Sequence, residues 1–338
     1  MTGTVTLAFD DALALARQAL AASGAGHETA EVTAEALVEA EAEGLAGVGL
    51  AHLVTYCEAL RDGRIDGRAE PAVERPAPAL LRADARGGVG HLAFRRSLDD
   101  LTAAARTCGV AVFTCRNGFT NAALGWFAAR LAERGLVAMA ATNGGPALLA
   151  ASGSTRPVFC TNPMAFAAPV AGRPPLLIDQ SSSATAFVNI ALAAARGEPI
   201  PEGWALDRDG APTTDPAAAM AGVLLPFGGA RGGNVALMVE VLAAGLTGAN
   251  WSLDAPSFLA GDRSPGVGLF VQALDPDALF GGGFAERLAA YLERIEAAYG
   301  AYVPGRSRAD KAAAARRDGI AIPSDLYTRL QGFAGTGG

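Results

Sequence analysis

The chain has 338 residues, with 27 basic and 34 acidic side chains and a formal net charge of −7. That balance excludes a nucleic-acid partner, because holding a polyphosphate needs a basic surface. With 51% of residues hydrophobic and only 18% charged, a disordered chain is excluded, and the length supports a large core split between two domains.

The amino terminus, MTGTVTLAFDDALALARQAL, has no basic n-region. It reads as a helix with an acidic start, not as a secretory signal. Leu13, Ala16 and Leu20 after Asp10 and Asp11 predict a helix over 10–22. A second helix is expected over 28–43, with Val32, Leu37 and Val38 on its apolar side. A third follows over 50–62, where Leu50, Leu53, Val54, Cys57 and Leu60 recur at helical spacing and Gly63 ends the run. EPAVERPAPAL (70–80) reads as a proline-rich connector and a domain boundary.

Beyond it the pattern changes. GVAVFTC (109–115), LVAMAAT (136–142), PMAFAAP (163–169) and PLLID (175–179) are short apolar runs bounded by Gly, Asn and Pro, and read as buried strands. Helical patterns lie at 121–134 and 183–197, with a long apolar helix at 232–248 and a strand at 267–274. Helices at 283–299, 307–317 and 323–333 close the chain. This order predicts an α/β sheet domain set between helical pieces from both termini: residues 1–75, a central domain at 76–280, and residues 281–338 packing back on the helical part. No window of about 18 apolar residues suggests a membrane span. The four cysteines, Cys57, Cys108, Cys115 and Cys160, form no CxxC pair and read as reduced thiols of a cytoplasmic protein. His27, His52 and His91 fit no metal-ligand spacing, so no metal is expected.

GLAGVGLAHLVTYCEALRDGRIDG (44–67) is glycine-rich at its start. A dinucleotide-binding fingerprint requires a strand, then GxGxxG, then a helix. Here Gly47 and Gly49 follow a helix, and the third glycine position is His52. GGVGHLAF (87–94) also lacks the third glycine. Neither segment reads as a phosphate loop.

Three separated stretches carry a different likeness: CTNPMAFAAP (160–169), GWALDRDGAPTTDP (203–216) and LLPFGGARGGNVALMVEVLAAGLTGA (224–249). Together they resemble the malate/L-lactate dehydrogenase family of the non-Rossmann type, which includes sulfolactate and ureidoglycolate dehydrogenases and piperideine-2-carboxylate reductases. The resemblance implies an α/β fold with a mostly antiparallel mixed sheet, a helical domain built from both chain ends, NADPH or NADH as cofactor, a small-molecule substrate and a homodimer. It implies cofactor contacts from Thr161, Asn162 and Pro163, from Asp179, Gln180 and Ser181, from Gly228, Gly229, Arg231 and Gly232, and from Pro304, Gly305 and Arg306. Taken alone, Thr161–Pro163 is also a common turn, and Asp179 either contacts the cofactor or caps the helix start at Ser181–Ser183. PFGGARG offers N–H groups and one guanidinium before a helix, which suits a pyrophosphate. Arg306 and Arg308 read as a 2′-phosphate site or as a solvated surface pair.

The family's reaction-centre residues are largely replaced. Its serine, histidine and arginine in the first motif fall on Gly47, Val48 and His52. The histidine of its second motif falls on Thr120, within RNGFTNA, and a lysine falls on Asn189. His52 and Tyr56, four residues apart, share a helix face, so they read as a substitute acid/base pair or substrate anchor, or as a polar face packed at an interface. Thr120, Asn121 and Asn189 complete the candidate catalytic set, while His27 and His91 read as structural or surface residues. Reducing a 2-oxo acid needs a cation for the carboxylate and an acid for the developing alkoxide. A protonated imine already carries its proton. The expected function is therefore a divergent NAD(P)H-dependent reductase acting on a cyclic imine or unusual carbonyl compound. The alternatives are a non-redox enzyme on the same fold and a catalytically inactive homologue.

Overall fold

A computed structural model of the protein describes residues 3–335; residues 1–2 and 336–338, the outer ends of the two terminal segments, lie outside the described residues. The chain opens with β1 (Thr4–Leu7), α1 (Phe9–Ala22), α2 (His27–Ala42) and α3 (Leu50–Arg61). Asp10 and Asp11 occupy the first turn of α1, but the residues before it are a strand. β1 pairs antiparallel with β14 near the other end of the chain, Thr4 opposite Pro323 and Leu7 opposite Ile320. All five periodic positions of α3, from Leu50 to Leu60, are buried, so the spacing identified its inner face.

β2 (Ala72–Ala77) and β3 (Leu80–Asp84) then form a hairpin. The proline-rich 70–80 segment is thus an edge strand, not a connector. Five of the six residues of β2 are exposed, and at a sheet edge a proline's missing N–H costs no ladder bond. α4 (Gly90–Cys108) crosses to β4 (Val110–Gly118), followed by α5 (Gly125–Ala132), β5 (Val137–Thr142), β6 (Leu149–Ala150), β7 (Pro157–Phe159), β8 (Met164–Ala168) and β9 (Leu176–Gln180). Next come α6 (Phe187–Arg196), β10 (Ala205–Leu206), β11 (Pro212–Thr213), α7 (Pro216–Met220), β12 (Val223–Leu224) and α8 (Ala230–Glu240). The chain closes with β13 (Val267–Leu274), α9 (Pro276–Phe280), α10 (Phe284–Tyr299), α11 (Arg306–Asp318), β14 (Ile320–Pro323) and α12 (Ser324–Ala334).

The main sheet has seven strands in the order β2-β3-β4-β13-β5-β8-β9. Every neighbouring pair in it is antiparallel except β3 and β4, which run parallel because α4 carries the chain across between them. This is the expected mostly antiparallel mixed sheet. β13 lies at its centre, and its near-continuous apolar run suits a strand covered on both faces. A smaller five-stranded sheet, β11-β10-β12-β6-β7, stands apart. One core joins the helical residues Leu37, Leu53 and Tyr56 to Phe94, Phe113, Phe119 and Phe127 beneath the main sheet. α12 packs on α1 and α3, and α11 on α2, while α10 places Leu292 against Val170 and Val303.

The helix read over 232–248 is α8 with a π turn, Val241–Gly245, after it. Gly268 of β13 lies against that turn, and a Cβ on it would fall inside van der Waals distance of the Ala243 carbonyl oxygen. The Thr247 hydroxyl donates to the same carbonyl. Among the described residues, no helix is long and apolar enough to cross a membrane.

Candidate active site

The glycines at 44–49 serve the packing of two helices. Gly44, at φ +82°, ends α2 in a conformation that side chains resist. Gly49 precedes α3 so closely under α2 that a Cβ there would lie 2.9 Å from the backbone N and Cα of Glu41. Glu41 in turn accepts the Leu50 N–H through Oε2 at 2.7 Å, capping α3 with a carboxylate. The stretch sets the start and direction of α3, and hence where His52 and Tyr56 point.

They point at the turn after β4. The Tyr56 hydroxyl donates to the Thr120 carbonyl oxygen at 2.6 Å. The Thr120 hydroxyl donates to Tyr56 Oη at 3.0 Å. His52 Nε2 lies 3.0 Å from Thr120 Oγ1. With the Tyr56 and Thr120 protons both committed, His52 closes the chain as the donor, so its proton sits on Nε2 and Nδ1 keeps a lone pair. Burial pushes the His52 imidazole down to about 4 and raises the Tyr56 phenol. Both are therefore uncharged at neutral pH. Tyr56 stands edge-on to His52 at 5.3 Å between ring centroids, Phe258 edge-on to it at 5.8 Å, and Phe119 edge-on to Tyr56 at 5.3 Å. His52 and Thr120 remain only half-buried.

The turn that presents Thr120 is strained, with Asn117 at φ +55° and Ala122 at φ +47°. Asn121 ties it down: its Nδ2 donates to Thr142 Oγ1 at 2.8 Å, and Thr142 donates to the Gly268 carbonyl at 2.6 Å. The Asn121 side chain is thus directed into the sheet. Asn189, on α6, donates to Thr185 Oγ1 at 3.0 Å within its own segment and has no hydrogen bond to the His52–Thr120–Tyr56 cluster.

The residues implied for the cofactor come from four distant parts of the chain, and three of these parts meet in space. The Ser182 N–H donates to the Thr161 carbonyl, the Ser182 hydroxyl to the Asn162 carbonyl, and the Phe227 N–H to the Ser182 carbonyl. These bonds bring 161–163, 181–183 and 226–229 side by side. Asn162 is fully buried at φ +39°, and its Nδ2 donates to Ala236 O and Glu240 Oε2, so its side chain holds the turn to α8. Pro163 follows it, and the Pro163 carbonyl accepts the Thr142 N–H. Asp179, at the end of β9 just before Gln180 and Ser181, accepts the Gly125 N–H at 2.9 Å at the start of α5 and pairs with Arg308 at 3.3 Å. It caps α5, not the Ser181–Ser183 segment. Pro304 and Gly305 lie on Leu177; a Cβ on Gly305 would meet the Leu177 N at 2.8 Å. Arg306 is paired with Glu296 at 2.7 Å.

The start of α8 is more open. Gly228 and Gly229 have φ +57° and +63°, and a Cβ on either would meet nothing within 4 Å. Gly232 packs on the Phe227 carbonyl, and Arg231 is exposed and makes no ion pair among the described residues. An open glycine turn, a helix start and an unpaired guanidinium suit the anionic pyrophosphate of a nicotinamide dinucleotide.

The chain belongs to the malate/L-lactate dehydrogenase family, whose model matches residues 7–331. Membership makes it an NAD(P)H-dependent oxidoreductase. It is 40% identical to a (2R)-3-sulfolactate dehydrogenase (NADP(+)) of Chromohalobacter salexigens over 96% of each chain. It is 38% identical to a Delta(1)-pyrroline-2-carboxylate reductase of Ancylobacter novellus over the full length of both. Its fold superposes on the crystal structure of a delta1-piperideine-2-carboxylate reductase from Pseudomonas syringae with a TM-score of 0.92, at 34% identity, covering 97% of this chain and 99% of the other.

Sequence reasoning missed one feature. Phe258, over His52, lies in an irregular stretch with no periodicity. His91, expected as a structural or surface residue, is structural: it is buried, tilted over Phe127 at 4.8 Å and edge-on to Trp126 at 5.5 Å, and neither ring nitrogen has a hydrogen-bond partner.

Proposed function

We propose that the protein is a reductase of carbon–nitrogen double bonds, acting on a cyclic imine in its protonated form. One observation carries this reading: the only titratable groups in the cluster, His52 and Tyr56, are held neutral, and their protons are spent on one another through Thr120. A ketone needs an acid at its oxygen as the alkoxide develops, and lacking one costs roughly 10²–10⁴-fold in rate. A protonated imine becomes a neutral amine on accepting hydride and needs no further proton. When bound, the nicotinamide supplies that hydride. Gly228, Gly229 and Arg231 are the residues proposed to hold its pyrophosphate, with Thr161 and Ser181 beside them. The half-buried His52, Thr120 and Phe258 are proposed to hold the substrate, while Tyr56 and Phe119, buried behind them, fix the cluster and exclude water. Asn121 supports the site from behind, through Thr142.

The test follows NADPH and NADH oxidation at 340 nm with a panel of cyclic imines and 2-oxo acids. The expected result is turnover with the imines at a kcat/KM about 10²-fold or more above that with pyruvate or oxaloacetate. Turnover of the oxo acids alone would sink the reading. Binding of NADPH or NADH, titrated calorimetrically without substrate, checks the cofactor site independently of the chemistry.

The same reading includes a homodimer. Leu237, Met238, Val241 and Leu246 along α8 and its π turn are all exposed, an apolar ridge of the kind a second copy covers. Light scattering coupled to size-exclusion chromatography should give twice the chain mass; a monomer at micromolar concentration would contradict it.

A further inference from the structure

We propose that His52 Nδ1 is the hydrogen-bond acceptor for the N–H of an iminium substrate, and that this substrate carries no carboxylate on the carbon that is reduced. The inference rests on the imine-reductase reading and narrows it to carboxylate-free cyclic imines.

The geometry starts from the proton chain. Tyr56 donates to the Thr120 carbonyl, Thr120 donates to Tyr56, and His52 Nε2 donates to Thr120. Nδ1 is left with a lone pair and no partner among the described residues. A neutral imidazole in this tautomer offers a ligand an acceptor, not a cation. The half-buried ring of Phe258 stands edge-on to His52, with the ring of Tyr56 edge-on on its buried side and Phe119 packed behind Tyr56. Aromatic surface beside a lone pair favours a delocalised cation with one N–H.

The same surroundings oppose a carboxylate. The arginines on the segments that build the site are occupied elsewhere. Arg116 of β4 is bound to Asp84 at 3.1 Å. Arg64, beyond α3, is buried and donates to the Phe258 carbonyl and to Asp62, so it fixes the aromatic cover over His52. Arg61 lies over the Phe333 ring at 4.4 Å. Burial is the main cause of the shift at both His52 and Tyr56, and at Tyr56 the Thr120 hydrogen bond opposes it. An anion placed here would face a lone pair, and none of these three arginines is free to offset its lost hydration.

The reaction balances without another group. Hydride from the dihydronicotinamide adds to the imine carbon, the C=N electron pair moves onto nitrogen, and the N–H stays where it was. The products are the cyclic secondary amine and NAD(P)+.

The experiment compares 1-pyrroline with 1-pyrroline-2-carboxylate, and 1-piperideine with its 2-carboxylate, by NADPH oxidation with the intact protein. The expected kcat/KM favours the carboxylate-free imine by about 10-fold or more in each pair, one such factor being about 1.4 kcal/mol. His52→Arg, which replaces the acceptor by a cation, should shift the ratio at least 10-fold toward the carboxylates. Equal or reversed preference in the native protein, or a ratio that His52→Arg leaves unmoved, overturns the proposal while leaving an imine reductase standing. Reduction of neither kind of imine by a protein that binds NADPH overturns both.

Discussion

Thr120→Val is expected to lower kcat/KM for the imine substrate roughly 10–100-fold. Valine keeps the volume and the branched shape of threonine, and the Tyr56 bond to the residue's backbone carbonyl survives. What disappears is the single oxygen that touches both His52 Nε2 and Tyr56 Oη. Leaving a half-buried imidazole N–H without an acceptor costs about 1–3 kcal/mol. The ring escapes that cost by moving its proton to Nδ1 or by rotating, and either change turns the acceptor offered to an iminium into a donor. The loss therefore falls on the reaction more than on the fold. Thermal unfolding should move by only a few degrees, while steady-state kinetics with saturating NADPH show the rate defect. Thr120→Ser, which keeps the oxygen, should restore most of the activity. If the valine variant turns over at the native rate, the hydroxyl only packs, and the proton chain is not what orients His52.

How far the sequence reveals this site depends on the range of the interaction that builds each part. α3 was legible because its apolar face is local: Leu50, Leu53, Val54, Cys57 and Leu60 repeat at the helical period and are all buried. The nearness of His52 and Tyr56 followed from the same period. That both meet Thr120, 68 and 64 residues further on, was reachable only through the family likeness, since no periodicity connects one motif to another. The edge strand at Ala72–Ala77 was misread because its prolines signal a loop locally, and only its place at the rim of the sheet permits them. β1 escaped notice because it is four residues long and its partner lies at the other end of the chain. Asp179 shows a subtler limit. The sequence marked it as a cap or a ligand contact, but the helix it caps is α5, more than fifty residues earlier.

Acid should destabilise the protein through its buried histidines, and His91→Leu should remove much of that sensitivity. Burial, with a smaller contribution from the neighbouring His52, pushes His91 down to about 3, and burial pushes His52 to about 4, against about 6.5 in the unfolded chain. Between pH 6.5 and 4 the unfolded chain therefore binds more protons than the folded one, so stability present above pH 6.5 is lost as the pH falls through this window. For the fully buried His91 the loss from pH 7.5 to 4.5 is roughly 2–3 kcal/mol; the half-buried His52 contributes less. Glu39, Glu41 and Glu43 act in the opposite sense. Burial raises all three, so the folded state takes up their protons first, and they gain stability as the pH falls. A single unfolding curve mixes these contributions, whereas the difference between native protein and His91→Leu isolates one of them. At pH 7.5 leucine should be neutral or slightly stabilising, because neither nitrogen of His91 has a partner to lose. At pH 4.5 it should be the more stable protein by roughly 2–3 kcal/mol, read from urea midpoints at matched ionic strength. Parallel pH profiles for the two proteins would show that His91 takes up its proton without leaving the fold, so that water reaches the ring behind Trp126 and Phe127.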